Sequence, residues 1–117
     1  MKINDGKWHH VAIVLPQKNG HLKDVQLYLD GLIVSEKTIE SPTTKIKTSQ
    51  ANWMAIATQT PTYKTNLTKT MGMVNYQGFL DDFCIWTRGL SSNEVKDIYT
   101  KGLKGISALS IENENPK

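Results

Sequence analysis

The sequence is poor in cysteine and contains no long apolar run. Cys84 is the single cysteine among 117 residues, so an intrachain disulfide is excluded and a cysteine-based zinc site would lack its other thiolates. No apolar run approaches the roughly 18 residues of a membrane-spanning helix, and residues 1–6 lack the apolar stretch of a signal peptide. We therefore expect no membrane insertion and no targeting signal within the given residues.

An excess of one charge is also lacking. The 14 Lys and Arg against 11 Asp and Glu give a formal net charge of +3, and the basic residues are scattered singly along the chain. Binding of a phosphate backbone needs clustered basic side chains, so nucleic acid is not expected as a partner. A length of 117 residues allows one hydrophobic core and leaves no material for a second.

Short apolar segments with period-two alternation predict an all-β fold. The segment Trp8 to Leu15 is typical of a strand covered on both faces. Asp30-Gly31 between two apolar runs predicts a β-hairpin with a two-residue turn and a positive φ at Gly31. Together with further strand candidates, the pattern predicts about seven strands. The further candidates are residues 53–57, 71–76, 79–86 and 106–111.

One short helix is predicted after the last strong strand candidate. Ser91 can cap the first amides of a helix, and Glu94 stands where the second half of a capping box is expected. We predict a helix over residues 92–101 that ends at Gly102. Its apolar face would consist of Val95, Ile98 and Tyr99. The predicted sandwich core consists of Trp8, Val11, Ile13, Leu27, Leu29, Phe83, Ile85 and Leu90.

Three segments in this order carry a resemblance to a known family. They are GKWHHVA from Gly6, LYLDG from Leu27, and GFLDDFCIWTRGLS from Gly78, which runs into Glu94-Val95. Together they resemble the laminin G-like and pentraxin-like branch of the concanavalin A-like lectin/glucanase superfamily, over residues 5–102. The resemblance implies an all-β, concanavalin A-like jelly-roll antiparallel β-sandwich, with the one short helix near its C-terminus.

The resemblance also implies that the sandwich is incomplete at the N-terminus, because family domains usually carry several strands ahead of the Trp-His-His strand. We assign residues 1–105 to the C-terminal portion of a laminin G-like domain and residues 106–117 to a final strand or polar tail. A long apolar strand with uncovered edges is an association hazard. The expected partner is therefore a second copy of the chain or the missing N-terminal part of the domain.

The acidic residues do not predict catalysis. Retaining glycosidases need two carboxyl groups about 5 to 5.5 Å apart, whereas Asp81 and Asp82 are adjacent and would point to opposite faces of a strand. The chain is therefore not expected to be an enzyme. Asp81 would share a face with apolar core residues, so its carboxylate must accept hydrogen bonds from loop amides or bind a cation. The cation alternative is calcium, held by Asp81, Asp82 and Asn75 with Asp30 as a further candidate ligand; the resemblance implies a calcium ion near the rim, and no other cofactor is expected.

The histidines do not predict a metal site. His9 and His10 would point to opposite faces of a strand and cannot chelate one ion together, and His21 lies in a separate turn. The resemblance implies that His10 is packed and hydrogen-bonded.

Two functions follow as hypotheses. The first is a non-catalytic binding module that recognises carbohydrate or a protein surface through rim loops, with carbohydrate or a glycoprotein as the expected partner. Exposed aromatic rings of such loops can stack on sugars, and amides can bind hydroxyls. The alternative is a structural or assembly module that pairs its sheet edges with another chain. The resemblance implies an extracellular, cell-surface or virion location. The candidate ligand-binding residues are Tyr63, Asn66, Asn75, Tyr76 and Gln77, although loop aromatics without a ligand would give the same pattern.

Overall fold

The computed structural model describes residues 3–17, 20–35, 42–47 and 76–109. These residues contain a three-stranded antiparallel sheet in the order β1-β2-β3, a 3-10 turn and an α-helix. The elements are β1 (Val11–Val14), the 3-10 turn Leu22–Asp24, β2 (Gln26–Leu29), β3 (Leu32–Ile33) and α1 (Ser92–Gly102). They all belong to one compact unit, Met1–Ile46 with Asp82–Lys117, and a second unit comprises Lys47–Asp81.

The β2–β3 hairpin confirms the turn predicted at Asp30-Gly31. Leu29 pairs with Leu32, so the connection has two residues, and φ is +51° at Asp30 and +77° at Gly31. Positive φ at both central residues defines a type I′ turn, whose twist matches that of the flanking strands. A Cβ at Gly31 would lie 3.0 Å from Cδ1 of Tyr99, so this position also needs glycine for the close approach of α1.

Strand β1 is shorter than the predicted strand from Trp8 to Leu15. The ladder with β2 runs from Val11 opposite Leu29 to Val14 opposite Gln26. Ahead of the ladder, the amide of His10 donates to the side chain of Asp30 at 3.0 Å, so a turn carboxylate replaces a neighbouring strand as its partner. The ladder is confirmed, and its extension to Trp8 and Leu15 is not found.

Helix α1 begins as the capping box predicts. The Glu94 amide donates to Oγ of Ser91 at 3.2 Å, and the Ser91 amide donates to Oε2 of Glu94 at 2.8 Å. Arg88 adds two charge-assisted hydrogen bonds to the Glu94 carboxylate, at 3.1 and 2.9 Å. Both of these anchors hold the first turn of the helix at one point of the preceding chain.

The core of the first unit lies between α1 and one face of the sheet. Its buried side chains, supplied by the sheet, the chain before α1 and α1 itself, are Tyr28, Leu90, Val95 and Ile98. The Tyr28 hydroxyl lies 2.8 Å from Oγ of Ser92, so a partly buried hydrogen bond also joins the sheet and the helix. Partly buried apolar side chains complete the cluster, namely Ala12, Val14, Trp86 and Ala108.

Most of the predicted core residues lie outside this cluster. Leu90 is buried as predicted, Val95 and Ile98 are confirmed as the helix face, and Leu27 and Leu29 are half-buried. The prediction was wrong about which face of the strands is buried within this chain. Because α1 packs on the side of Tyr28, the alternate residues point away from it. In β1 these exposed residues are Val11 and Ile13. Trp8, Phe83 and Ile85 are exposed as well, but they lie outside the three strands.

The segment 79–86 is not a strand of the described sheet. It forms no ladder with β1, β2 or β3, and Asp82 has a φ of +50°. The expected alternation persists from Phe83 to Trp86, where exposed and half-buried residues alternate. Residues 106–109 are also not in a strand. The strand candidate at 53–57 lies outside the described residues, as do the candidate at 71–76 except for Tyr76 and the predicted tail beyond Leu109. The division at residue 105 stays a prediction.

Within the described ranges, no helix is long and apolar enough to cross a membrane.

Candidate functional site

The face of the sheet opposite α1 is a continuous apolar surface. Cross-strand partners in an antiparallel sheet point to the same side. The register therefore places Val11, Leu29 and Leu32 in one row and Ile13 and Leu27 in the next. We call these five residues the open face. All five are aliphatic, so this side of the sheet presents no side chain that hydrogen-bonds or carries charge.

Exposure within the open face is high for side chains of this type. Val11, Ile13 and Leu32 are 59%, 62% and 66% exposed, and Leu27 and Leu29 are half-buried. Scattered apolar residues on a protein surface are ordinary, but contiguous apolar patches mark interaction sites. The open face is the one surface of the first unit, among the described residues, whose register shows such contiguity.

A second polar arrangement lies where the chain enters β1. Nδ1 of His9 is 2.9 Å from Oδ2 of Asp30, and Nε2 of His9 is 3.0 Å from Oδ1 of Asp5. The hydrogen bond that His9 donates to Asp30, and then the one that it donates to Asp5, raise the pKa of His9 above its usual value. The same bonds with His9 are the main cause that lowers the pKa of both carboxyls. His9 is therefore favoured in its charged form.

This cluster was not predicted, because His9 was considered only as a metal ligand. The available signals were the spacing of Asp5 and His9 by four residues and the hairpin turn at Asp30. The long-range contact between His9 and Asp30 follows from the strand register, which the sequence does not state.

His10 is packed as the resemblance implies. Its ring lies 6.1 Å from the Tyr99 ring between centroids, and burial lowers its pKa. Its hydrogen bond is made by the backbone amide, whereas no partner is found for its Nδ1 within the described structure.

Two of the predicted ligand-binding residues, Tyr76 and Gln77, are described, and both are exposed. The hydroxyl of Tyr76 donates to the Phe79 carbonyl at 3.3 Å, and its ring lies against Gly78. A Cβ at Gly78 would lie 2.5 Å from the Tyr76 hydroxyl oxygen, so only glycine permits this packing. The other three candidates, Tyr63, Asn66 and Asn75, lie outside the described residues.

The calcium prediction rests on residues that are only partly described. Asp81 and Asp82 are exposed, so the expectation that Asp81 lies on a buried face with core residues is wrong. No group of three or more His, Cys, Asp or Glu that could hold a metal ion is found in the described part of the chain. Asn75, the third candidate ligand, is outside it, and calcium binding stays a prediction.

The sequence comparison identifies the family. The sequence model of the concanavalin A-like lectin/glucanase superfamily matches residues 1–96, and the chain therefore belongs to this superfamily, as the three segments predicted. No curated protein matches the chain significantly.

A solved structure shows the same fold. The chain is similar to a segment of an S-layer domain-containing protein from Clostridium thermocellum, with a TM-score of 0.60 and 24% identity. The similarity covers 85% of this chain and 42% of that chain. The chain thus corresponds to less than half of the solved structure.

Proposed function

We propose that this chain is a non-catalytic assembly module of a cell surface, and that its working surface is the open face. The partner we propose is a second antiparallel β-sheet, contributed by another polypeptide segment, whose apolar face packs on Val11, Ile13 and Leu32. The two layers together would form the jelly-roll sandwich that the superfamily resemblance implies. The observation that carries the proposal is the exposure of two contiguous rows of aliphatic side chains.

The uncovered apolar face of the β1–β3 sheet is the reason to expect a second layer. A sheet that is apolar on both faces must bury both, and stable domains achieve this by packing in layers. One face of the β1–β3 sheet is covered by α1 through Tyr28, Val95 and Ile98. The open face consists of aliphatic side chains and has no covering element within the described structure. A second layer is the arrangement that removes it from water.

A sheet suits the open face better than a polar or charged partner. Sheets pack face to face at a separation of about 10 Å, and side chains from alternate positions of both layers interdigitate. In the open face, the row that contains Val11 and the row that contains Ile13 are two such alternate positions along β1. The solved S-layer structure also contains more than twice the length that the chain matches, because only 42% of it is covered. The unmatched part of that structure is long enough to supply a further layer.

The cell-surface setting is taken from the name of the similar structure, an S-layer domain-containing protein. A non-catalytic role is supported by three carboxylates among the described residues of the first unit. Asp5 and Asp30 accept hydrogen bonds from His9, and Glu94 accepts them from Arg88 and Ser91. These oxygens hold the fold together and are not available as an acid and base pair.

The test compares two exposed isoleucines on opposite faces of one sheet. Ile13 lies on the open face and is 62% exposed, whereas Ile33 pairs with Tyr28 on the other face and is 54% exposed. We expect the purified chain at micromolar concentration to self-associate or to bind the apolar dye ANS. The variant Ile13→Lys should lose either property, while Ile33→Lys should retain it.

Light scattering and dye fluorescence together separate the outcomes. A discrete dimer that Ile13→Lys abolishes would identify the second sheet as another copy of the chain. Dye binding without a discrete dimer would indicate a different polypeptide. A cooperative monomer that binds no dye would contradict the proposal.

Carbohydrate binding is a second candidate, favoured by the arrangement of Tyr76. Its ring is 53% exposed and yet held by Gly78 and the Phe79 carbonyl, as a stacking platform for a sugar requires. We expect Gly78→Ala, which displaces the ring, to weaken retardation in affinity electrophoresis through polysaccharide gels as much as Tyr76→Ala does. Tyr99→Phe serves as a control elsewhere in the chain. Retardation that is absent in the parent chain would exclude this candidate for the polysaccharides used.

A further inference from the structure

The contacts of His9 specify its protonation state. An ionised carboxylate only accepts hydrogen bonds, and the carboxylates of Asp5 and Asp30 each face one ring nitrogen of His9 at 3.0 Å or less. Both ring nitrogens must therefore carry a proton and donate. His9 in this arrangement is an imidazolium, with a carboxylate on either side.

The imidazolium connects two segments that are far apart in the sequence. On one side, Asp5 also accepts the Lys7 amide at 3.0 Å, which closes a small turn. On the other, Asp30 belongs to the β2–β3 turn; its Oδ1 accepts the His10 amide at 3.0 Å, and its own amide donates to the His10 carbonyl at 2.8 Å. His9 thus ties the turn before β1 to the hairpin.

Deprotonation cannot leave both contacts in place. A neutral imidazole has one N–H and one lone pair, so one of its nitrogens would face a carboxylate without a proton between them. Asp5 is the weaker side, because its carboxylate is held only by His9 and Lys7 on an exposed turn. Asp30 is fixed by the hairpin and by two hydrogen bonds with the backbone of His10. Loss of the proton should therefore release Asp5 first.

We propose that Asp5, His9 and Asp30 form a proton-operated clasp, closed while His9 is charged and open when it is neutral. The clasp holds the segment that leads into β1, including Trp8, against the hairpin. Its operation does not depend on what the open face binds.

The titratable and charged groups near the clasp leave His9 as the group whose protonation controls it. His10, next in sequence, is driven towards its neutral form by burial, so it does not compete for the carboxylates as a second cation. From α1, Tyr99 packs against His10, and the Lys96 backbone passes close to Gly31. Hydrogen bonds to Asp30 and Asp5 raise the pKa of His9, so the clasp is closed at mildly acidic pH and opens as the pH rises through that pKa.

NMR titration of the histidine rings tests the clasp in the complete chain. In the closed state, the nitrogen chemical shifts of His9 should show both ring nitrogens protonated, and its pKa should exceed the usual value for histidine. Asp30→Asn should lower this pKa most and Asp5→Asn less. Asn tolerates the left-handed conformation found at residue 30, so Asp30→Asn should fold.

The matched control is Asp24→Asn. Asp24 also stands beside a histidine, with its Oδ2 at 3.6 Å from Nδ1 of His21, but it has no part in the clasp. Asp24→Asn should leave the titration of His9 unchanged. The Lys7 amide should also exchange with solvent faster than base catalysis alone explains once His9 is neutral, because its acceptor Asp5 is released.

The clasp would be overturned by a parent chain in which the pKa of His9 is at or below the usual value for histidine. It would also be overturned if Asp30→Asn and Asp24→Asn shifted the titration of His9 equally.

Discussion

Ala12 and Ile13 are neighbours in β1, yet they lie in different environments. Ala12 packs against the buried cluster beneath α1, and Ile13 is 62% exposed on the open face. The same contrast holds in β2, where Tyr28 is 1% exposed and its neighbours Leu27 and Leu29 are half-buried. Both faces of the sheet are apolar, so their composition does not explain which one is covered.

The difference comes from α1. The helix is fixed at its start by the capping box and by Arg88, and the hydrogen bond between Tyr28 and Ser92 sets it over one face. A single short helix covers a single face. The comparison shows that apolarity identifies the surfaces that must be buried, whereas long-range contacts decide which of them this chain buries by itself.

The largest expected effect comes from truncating matched isoleucines on the two sides. Ile98→Ala removes a side chain that is 6% exposed and should lower the free energy of unfolding by about 2 to 4 kcal/mol. Ile13→Ala on the open face should change it by about 0.5 kcal/mol or less in the unassociated chain. Urea denaturation at low protein concentration measures both. Equal losses would show that the open face is already covered.

The glycines at positions 31 and 6 provide a second matched pair. Both have a φ of +77°. A Cβ added at Gly31 would lie 3.0 Å from the Tyr99 ring, whereas a Cβ added at Gly6 would have no atom within 4 Å. Gly6→Ala should therefore cost only the backbone strain, about 1 kcal/mol, and Gly31→Ala about 2 to 3 kcal/mol. Thermal melting compares the two variants. A Gly31→Ala loss no larger than that of Gly6→Ala would mean that α1 is not packed on the hairpin.

Local features of the fold could be predicted from the sequence. The turn at Asp30-Gly31 and the capping box of Ser91 and Glu94 depend on residues close together in the chain, and both are found. The three superfamily segments were also sufficient to identify the family.

Features that depend on distant residues could not be predicted. Which side of β1 is buried depends on the position of α1, about 80 residues further along the chain. The contact of His9 with Asp30 depends on the register of β1 against β2. The same limitation explains why alternation in residues 79–86 did not predict that this segment lies outside the β1–β3 sheet, because alternation describes the two sides of a segment and not which strand pairs with it.

The cap of α1 should have a moderate effect, because it fixes the helix that makes the two faces different. Ser91→Ala removes the acceptor of the Glu94 amide and should destabilise the fold by about 1 kcal/mol. Ser107→Ala is the control, since its hydroxyl accepts only the nearby Leu109 amide at 3.2 Å on an exposed turn. Circular dichroism during thermal melting measures the loss, and a Ser91→Ala melting temperature equal to that of the control would contradict the role of the cap.

The smallest expected effect is the pH dependence of the same cap. The hydrogen bond from Arg88, and then that from the Ser91 amide, lower the pKa of Glu94 from 4.5 to about 2. Because the carboxyl is more acidic in the folded chain, its stabilisation is complete above pH 4.5 and is lost as the pH falls towards 2. Glu94→Gln should therefore be less stable than the parent at pH 7, by about 0.5 to 1 kcal/mol for a solvent-screened pair. The difference should shrink as the solution is acidified below pH 4.5, which urea denaturation at several pH values measures. A difference that stays constant down to pH 2 would mean that Glu94 acts through its shape and neutral hydrogen bonds, and that its charge has no part in holding α1 over the covered face.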